Sequence, residues 1–92
     1  MAKTLHIATL VVNGERIDGH VHGGVLVPAR GSSWHVHAST TRRLPWTVGM
    51  TYTLEIHTRE GRTITGEASL RRSDGQAHYF VGEAVPSELV DA

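Results

Sequence analysis

The chain has no cysteine in its 92 residues, which excludes disulfide bridges and thiolate metal sites. Aromatic residues are scarce: two tryptophans, two tyrosines and one phenylalanine. No apolar run approaches the roughly 18 residues that a membrane-spanning helix needs. The first residues, MAKTLHIATLVVNGER, lack the apolar core and cleavage site of a signal peptide. A cytoplasmic protein without membrane contact is expected. Net charge is lacking too, because nine basic residues balance nine acidic ones. That weighs against a dedicated nucleic-acid binder, whose affinity rests on phosphate neutralisation. It favours association, since near-zero charge lowers colloidal stability. Lysine is almost missing: Lys3 stands against eight arginines. This bias points to a GC-rich source, bacterial or phage.

Histidine is abundant, with seven residues. Their unperturbed pKa is about 6.5, so net charge rises steeply between about pH 7 and 5.5. Solubility or assembly is expected to change across that range; a flat light-scattering profile from pH 7 to 5.5 would contradict it.

The stretch Met50 to Val81 organises the chain. Tyr52, Leu54 and Ile56 alternate with Thr53, Glu55 and His57, the period of a half-buried strand. A three-residue turn, Arg59-Glu60-Gly61, pairs Ile56 with Ile64, Leu54 with Gly66, Tyr52 with Ala68 and Met50 with Leu70. A two-residue turn would instead set Glu67 opposite Leu54 on the core face. The next hairpin turns at Asp74-Gly75, a two-residue signal that pairs Leu70 with Tyr79 and Ala68 with Val81. In that register Phe80 and His78 point outward.

Upstream, Lys3 to Val12 reads as a strand, and Asn13-Gly14 as a tight hairpin turn. That turn pairs Leu10 with Ile17, His6 with Val21, Ile7 with His20, Leu5 with His22 and Thr9 with Asp18. The mixed second face then needs cover from another strand or subunit. Gly23-Gly24 breaks the second strand, and Pro28 ends the run Val25-Leu26-Val27. Trp34, Val36 and Ala38 alternate with His35 and His37 as another short strand. Ser39 to Gly49 is a long irregular connection, and such segments are often functional. Residues 86–90 suggest one helical turn, with Leu89 closing a barrel end.

These patterns predict one all-β domain over residues 1–92 with a modest core. The preferred architecture is a small, partly open antiparallel β-barrel of about six or seven strands. Its size class is that of SH3-like and OB-like barrels. A compact β-sandwich is the alternative.

Three binding chemistries compete. Arg42, Arg43 and Trp46 share the irregular connection, and Phe80 is expected on the outer face. Arginine and tryptophan dominate interface hot spots, so these residues are the candidate protein-contact site. The implied function is a non-catalytic module: an assembly or accessory component, a homo-oligomer, or a small inhibitor of a larger complex. Arg42, Arg43, Arg71 and Arg72 beside aromatics would suit a single-stranded nucleic acid. The pairs His20/His22 and His35/His37 each place two imidazoles on one strand face, about 6.5–7 Å apart. They would bind a metal if the two strands were neighbours and the four rings converged. The commoner role of such residues is an ordinary polar face, and no cofactor is expected. Catalysis finds little support: Ser32 and Ser33 precede His35, but no nucleophile elbow, phosphate loop or carboxylate dyad appears.

Overall fold

In the computed structural model, which describes residues 3–17, 19–27, 33–83 and 85–86, the chain is built from seven β-strands. They are β1 (Lys3–Val12), β2 (Glu15–Arg16), β3 (Val21–Val27), β4 (Trp34–Thr40), β5 (Thr51–Thr58), β6 (Thr63–Ser73) and β7 (Ala77–Gly82). The sheet order is β2-β1-β3-β4-β7-β6-β5, and β1 also pairs with β5. The last pairing shuts the sheet into a closed six-stranded antiparallel barrel, with β2 as an extra strand on β1. The expected barrel is therefore present, and it is closed rather than partly open. Among the described residues no helix is long and apolar enough to cross a membrane.

The β5–β6 hairpin has the expected register, with Ile56 opposite Ile64, Leu54 opposite Gly66 and Tyr52 opposite Ala68. Gly61 takes the left-handed position at φ 87°, as a three-residue turn requires. The Asn13-Gly14 turn also forms as expected, with φ of 51° and 82° and pairs Val11–Arg16 and Val12–Glu15.

Beyond that turn the register departs from expectation. Gly19, at φ 86°, follows a break after β2, and the chain re-enters the sheet three residues out of step. His6 lies opposite Gly24 rather than Val21, and Leu5 opposite Val25 rather than His22. Asp18, expected opposite Thr9, lies outside the described residues, as do Leu89 and the helical turn expected around it. Gly23 and Gly24 do not break β3; both are paired within it, to Ala38 and His37 of β4. The two apolar faces of β1 need no second subunit. A bulge between Ile7 and Thr9 switches the inward parity, so Leu5 and Ile7 and then Leu10 and Val12 all face the core.

The β6–β7 hairpin corrects another expectation. Leu70 pairs with Phe80, and after a bulge at Arg71 the pairs continue as Arg72–Tyr79 and Ser73–His78. Phe80 is fully buried and His78 nearly so, while Tyr79 and Val81 are only half-buried on the outer face. The core is filled by one large aromatic from each of β4 and β7, Trp34 and Phe80, among Ile7, Leu10, Val25, Val36, Leu54, Ile56, Ile64 and Leu70. Burying one such aliphatic side chain is worth about 1.5–3 kcal/mol.

Candidate functional site

The connection from Thr41 to Met50 crosses one end of the barrel and is tied to the β6–β7 turn. The turn is built by Asp74, whose carboxylate accepts the Gln76 and Ala77 N–H groups at 2.9 and 2.7 Å. Those backbone donors hold the Asp74 carboxyl below its usual range. The cap makes a wider turn than the Asp-Gly dipeptide suggested, which sets the shifted register. Across the gap, the Leu44 N–H donates to the Gly75 carbonyl at 2.8 Å and the Gln76 amide donates to the Thr41 carbonyl at 3.0 Å. Arg43 donates to the Asp74 carbonyl at 2.7 Å. Its guanidinium lies against Gly75, where an added Cβ would come within 2.8 Å of it.

Trp46 packs inward, against Tyr52, His78 and Phe80 at ring-centroid distances of 6.0, 4.5 and 5.7 Å. It is a half-buried lid on the core rather than an exposed anchor. Phe80 is withdrawn from the surface altogether, contrary to its expected place among the contact residues. The shifted β6–β7 register is the physical reason in both cases, since it turns His78 and Phe80 inward to form the seat of Trp46.

His78 sits at the centre of this seat. Its Nδ1 lies 2.8 Å from the Ser73 hydroxyl, and its Nε2 3.2 Å from the Thr40 hydroxyl. Ser73 Oγ accepts the Gly75 N–H at 3.1 Å, and the Thr40 hydroxyl donates to the Arg42 carbonyl at 2.8 Å. The neutral Nε2–H tautomer satisfies this network. With it every contact runs one way: Gly75 N–H to Ser73, Ser73 O–H to Nδ1, Nε2–H to Thr40, and Thr40 O–H to Arg42. Burial holds the imidazole below the ordinary histidine value, and the Asp74 carboxylate opposes that shift.

The outward part of the connection ends in Val48 and Met50, each 54% exposed. They are the exposed large hydrophobic residues among those described. They flank Gly49 (φ 97°), and the Gly49 N–H donates to the Leu70 carbonyl at 2.8 Å while the Thr47 N–H donates to the Tyr52 hydroxyl at 2.9 Å. Neither residue stood out in the sequence. Met50 fitted the inward alternation of β5, and Val48 belonged to no alternating run. A glycine between two apolar residues, just outside a strand, was the available signal.

The arginines are split between two hollows. Arg43 lines one of about 570 Å³ with Leu44, Pro45, Trp46 and the 73–75 turn. Arg72 lines another of about 390 Å³ with His37, Ala77, His78 and Tyr79. Arg42 and Arg71 are exposed. The histidine pairs do lie on neighbouring strands, yet they do not converge. His22 faces Ser39 and His37 faces Gly24, so the pairs are offset along the ladder. His20 and His22 tilt against each other with centroids 5.9 Å apart. His35 and His37 turn towards Tyr79, through a 2.7 Å contact from His35 Nδ1 to the phenolic oxygen and a stacked His37 ring at 4.6 Å. Among the described residues no group of three or more His, Asp or Glu side chains is placed to hold a metal ion. His6 and His57 pair instead with Glu60 and Glu55, at 2.7 and 2.8 Å.

Comparison with known protein families, curated proteins and solved structures finds no match for this chain.

Proposed function

We propose that this barrel is a non-catalytic module that works through protein contacts, with the Thr41–Met50 connection as its contact surface. The supporting observation is the exposure of Val48 and Met50 on a segment whose backbone is pinned to the barrel. A closed barrel leaves few free strand edges for pairing, so contacts fall to loops and side-chain faces. Pre-positioned apolar groups lose little conformational freedom on binding, which favours affinity from a small surface. Arg42 and Arg43 are exposed cations of the same connection. Self-association is the first case to test. The double variant Val48→Asp/Met50→Asp is expected to fold normally and to weaken association at least about a hundredfold, as loss of two buried apolar side chains implies. Sedimentation equilibrium against concentration measures this. A wild-type chain that stays at 10.0 kDa at every concentration removes self-association. The same variant then tests capture of a separate partner.

A second reading rests on Arg72 beside the His37–Tyr79 stack, a small cationic and aromatic patch suited to single-stranded nucleic acid. Retention on single-stranded DNA that falls steeply with salt would favour it; salt-insensitive or absent retention rejects it.

A further inference from the structure

We propose that His78 is an acid-sensitive latch for the Thr41–Met50 connection, holding it shut while neutral and releasing it when protonated. The inference rests on reading that connection as the contact surface, and it adds the regulation of that surface. The imidazole sits where three parts of the chain meet, Thr40 at the end of β4, Ser73 at the end of β6 and Trp46 in the connection, and adds to the Leu44–Gly75 and Thr40–Gln76 backbone bonds between them. Its hydrogen bonds have a single direction when Nδ1 is an acceptor. A second proton makes Nδ1 a donor as well. Ser73 Oγ, which already receives the Gly75 N–H, must then reverse and receive Nδ1–H too.

The surroundings decide whether that proton is tolerated. From β4 come Thr40 and, across the hollow, the exposed His37. From β6 come Ser73 and Arg72, a cation on the same hollow. Tyr79, next in β7, lines the hollow and carries a phenol. The turn supplies Asp74, a carboxylate that favours the charged form of His78. Arg43 of the connection sits over that same turn and offsets Asp74. Trp46 covers the ring and Phe80 lies beyond it, with Tyr52 touching both aromatics. The Trp46 ring attracts an imidazolium, but it also keeps water away. Burial is the larger influence, and the neutral ring is favoured while the connection is docked.

The sign follows from linkage. A histidine whose pKa is lower in the docked state than in the released state takes its proton more readily after release. Docking is therefore fully favoured above the ordinary histidine value and weakens as pH falls towards the docked value. The ratio of open to closed connection rises with acid, by up to about tenfold for each pH unit separating the two values. Release would uncover Trp46 beside Val48 and Met50 and enlarge the apolar surface.

The test is hydrogen exchange and ring titration by NMR on the full chain from pH 7.5 to 5.0, with exchange rates corrected for their intrinsic pH dependence. The amides of Leu44 and Thr40, bonded to Gly75 and Gln76, are expected to lose protection with the same midpoint as the His78 ring. Ile56 and Ile64 are expected to remain protected. His78→Gln, which cannot titrate, should make the Leu44 amide insensitive to pH. A His78 ring that titrates while Leu44 and Thr40 keep their protection overturns the latch. So does loss of protection that persists unchanged in His78→Gln. If that variant does not fold, agreement or disagreement of the two wild-type midpoints still decides. Association measured at pH 7.5 with Val48→Asp/Met50→Asp is independent of these readouts. Failure of the contact surface and failure of the latch are thus separable.

Discussion

Gly23→Ala is expected to cost about 4 kcal/mol or more, a large share of the roughly 5–14 kcal/mol that a domain of this length has to lose. Two effects coincide at this position. The backbone of Gly23 has φ 148°, in a region that residues with a Cβ rarely adopt. A Cβ there would overlap the carbonyl oxygen of His37 and lie 2.8 Å from its carbonyl carbon, which is backbone of the neighbouring strand and cannot swing aside. Gly61→Ala is the control. It also has a positive φ, 87°, but nothing lies within 4 Å of the added atom. Only the local strain remains, about 1–2 kcal/mol. Urea unfolding of both variants separates strain from overlap, and equal losses would show that the β3–β4 contact is not the cause.

Trp34→Ala is expected to destabilise by about 3–5 kcal/mol, the usual range for removing a fully buried aromatic. The indole fills space left by two glycines on other strands. A Cβ on Gly66 would stand 2.8 Å from Trp34 Cζ2, and one on Gly82 would overlap Nε1, with Cδ1 at 2.6 Å. Gly82→Ala alone is therefore also strongly destabilising, by overpacking. The two lesions share one cause. The double variant Trp34→Ala/Gly82→Ala should lose less than the sum of the single losses, because the added methyl enters the vacated space. Denaturation midpoints of the four proteins measure the coupling. Simple additivity would mean that the indole and Gly82 are not in contact.

The fold was legible wherever side chains of contrasting size face each other across a turn with one permitted glycine position. The β5–β6 hairpin is such a case: only the three-residue turn Arg59-Glu60-Gly61 keeps Glu67 away from Leu54. The β6–β7 hairpin was not, because one register buries Tyr79 and Val81 and the other His78 and Phe80, and the alternation alone fits both. What decides it is Asp74 capping two backbone amides, together with a bulge at Arg71, and neither alters the apolar pattern. The slip between β2 and β3 is similar. Asn13-Gly14 sets the register at the turn but cannot report that β3 re-enters the ladder three residues out of step.

The candidate site inherits those errors. A segment containing Arg42, Arg43 and Trp46 reads as an interface because arginine and tryptophan are common there. Yet tryptophan is equally the residue that closes a small core, and the inward turn of His78 and Phe80 gives Trp46 a seat. The importance of the connection was visible from its length and irregularity. Which of its residues face outward was not, because that depends on the neighbouring turn.

The position of β1 between β3 and β5 bears on how quickly the native sheet can be assembled. β5–β6 and β6–β7 are joined by short turns, so they pair at small entropic cost. The seams β1–β5 and β4–β7 join segments far apart in the chain, such as Leu10 with Ile56 and Ser39 with Ala77. Barrels with such distant pairings fold in about milliseconds to seconds rather than microseconds. On a ribosome, β1 emerges ahead of β5 and has no permanent neighbour on that side until Thr58 has been made. Its apolar inward row of Leu5, Ile7, Leu10 and Val12 waits until β5 is available, which exposes β1 to misassembly in a nascent chain.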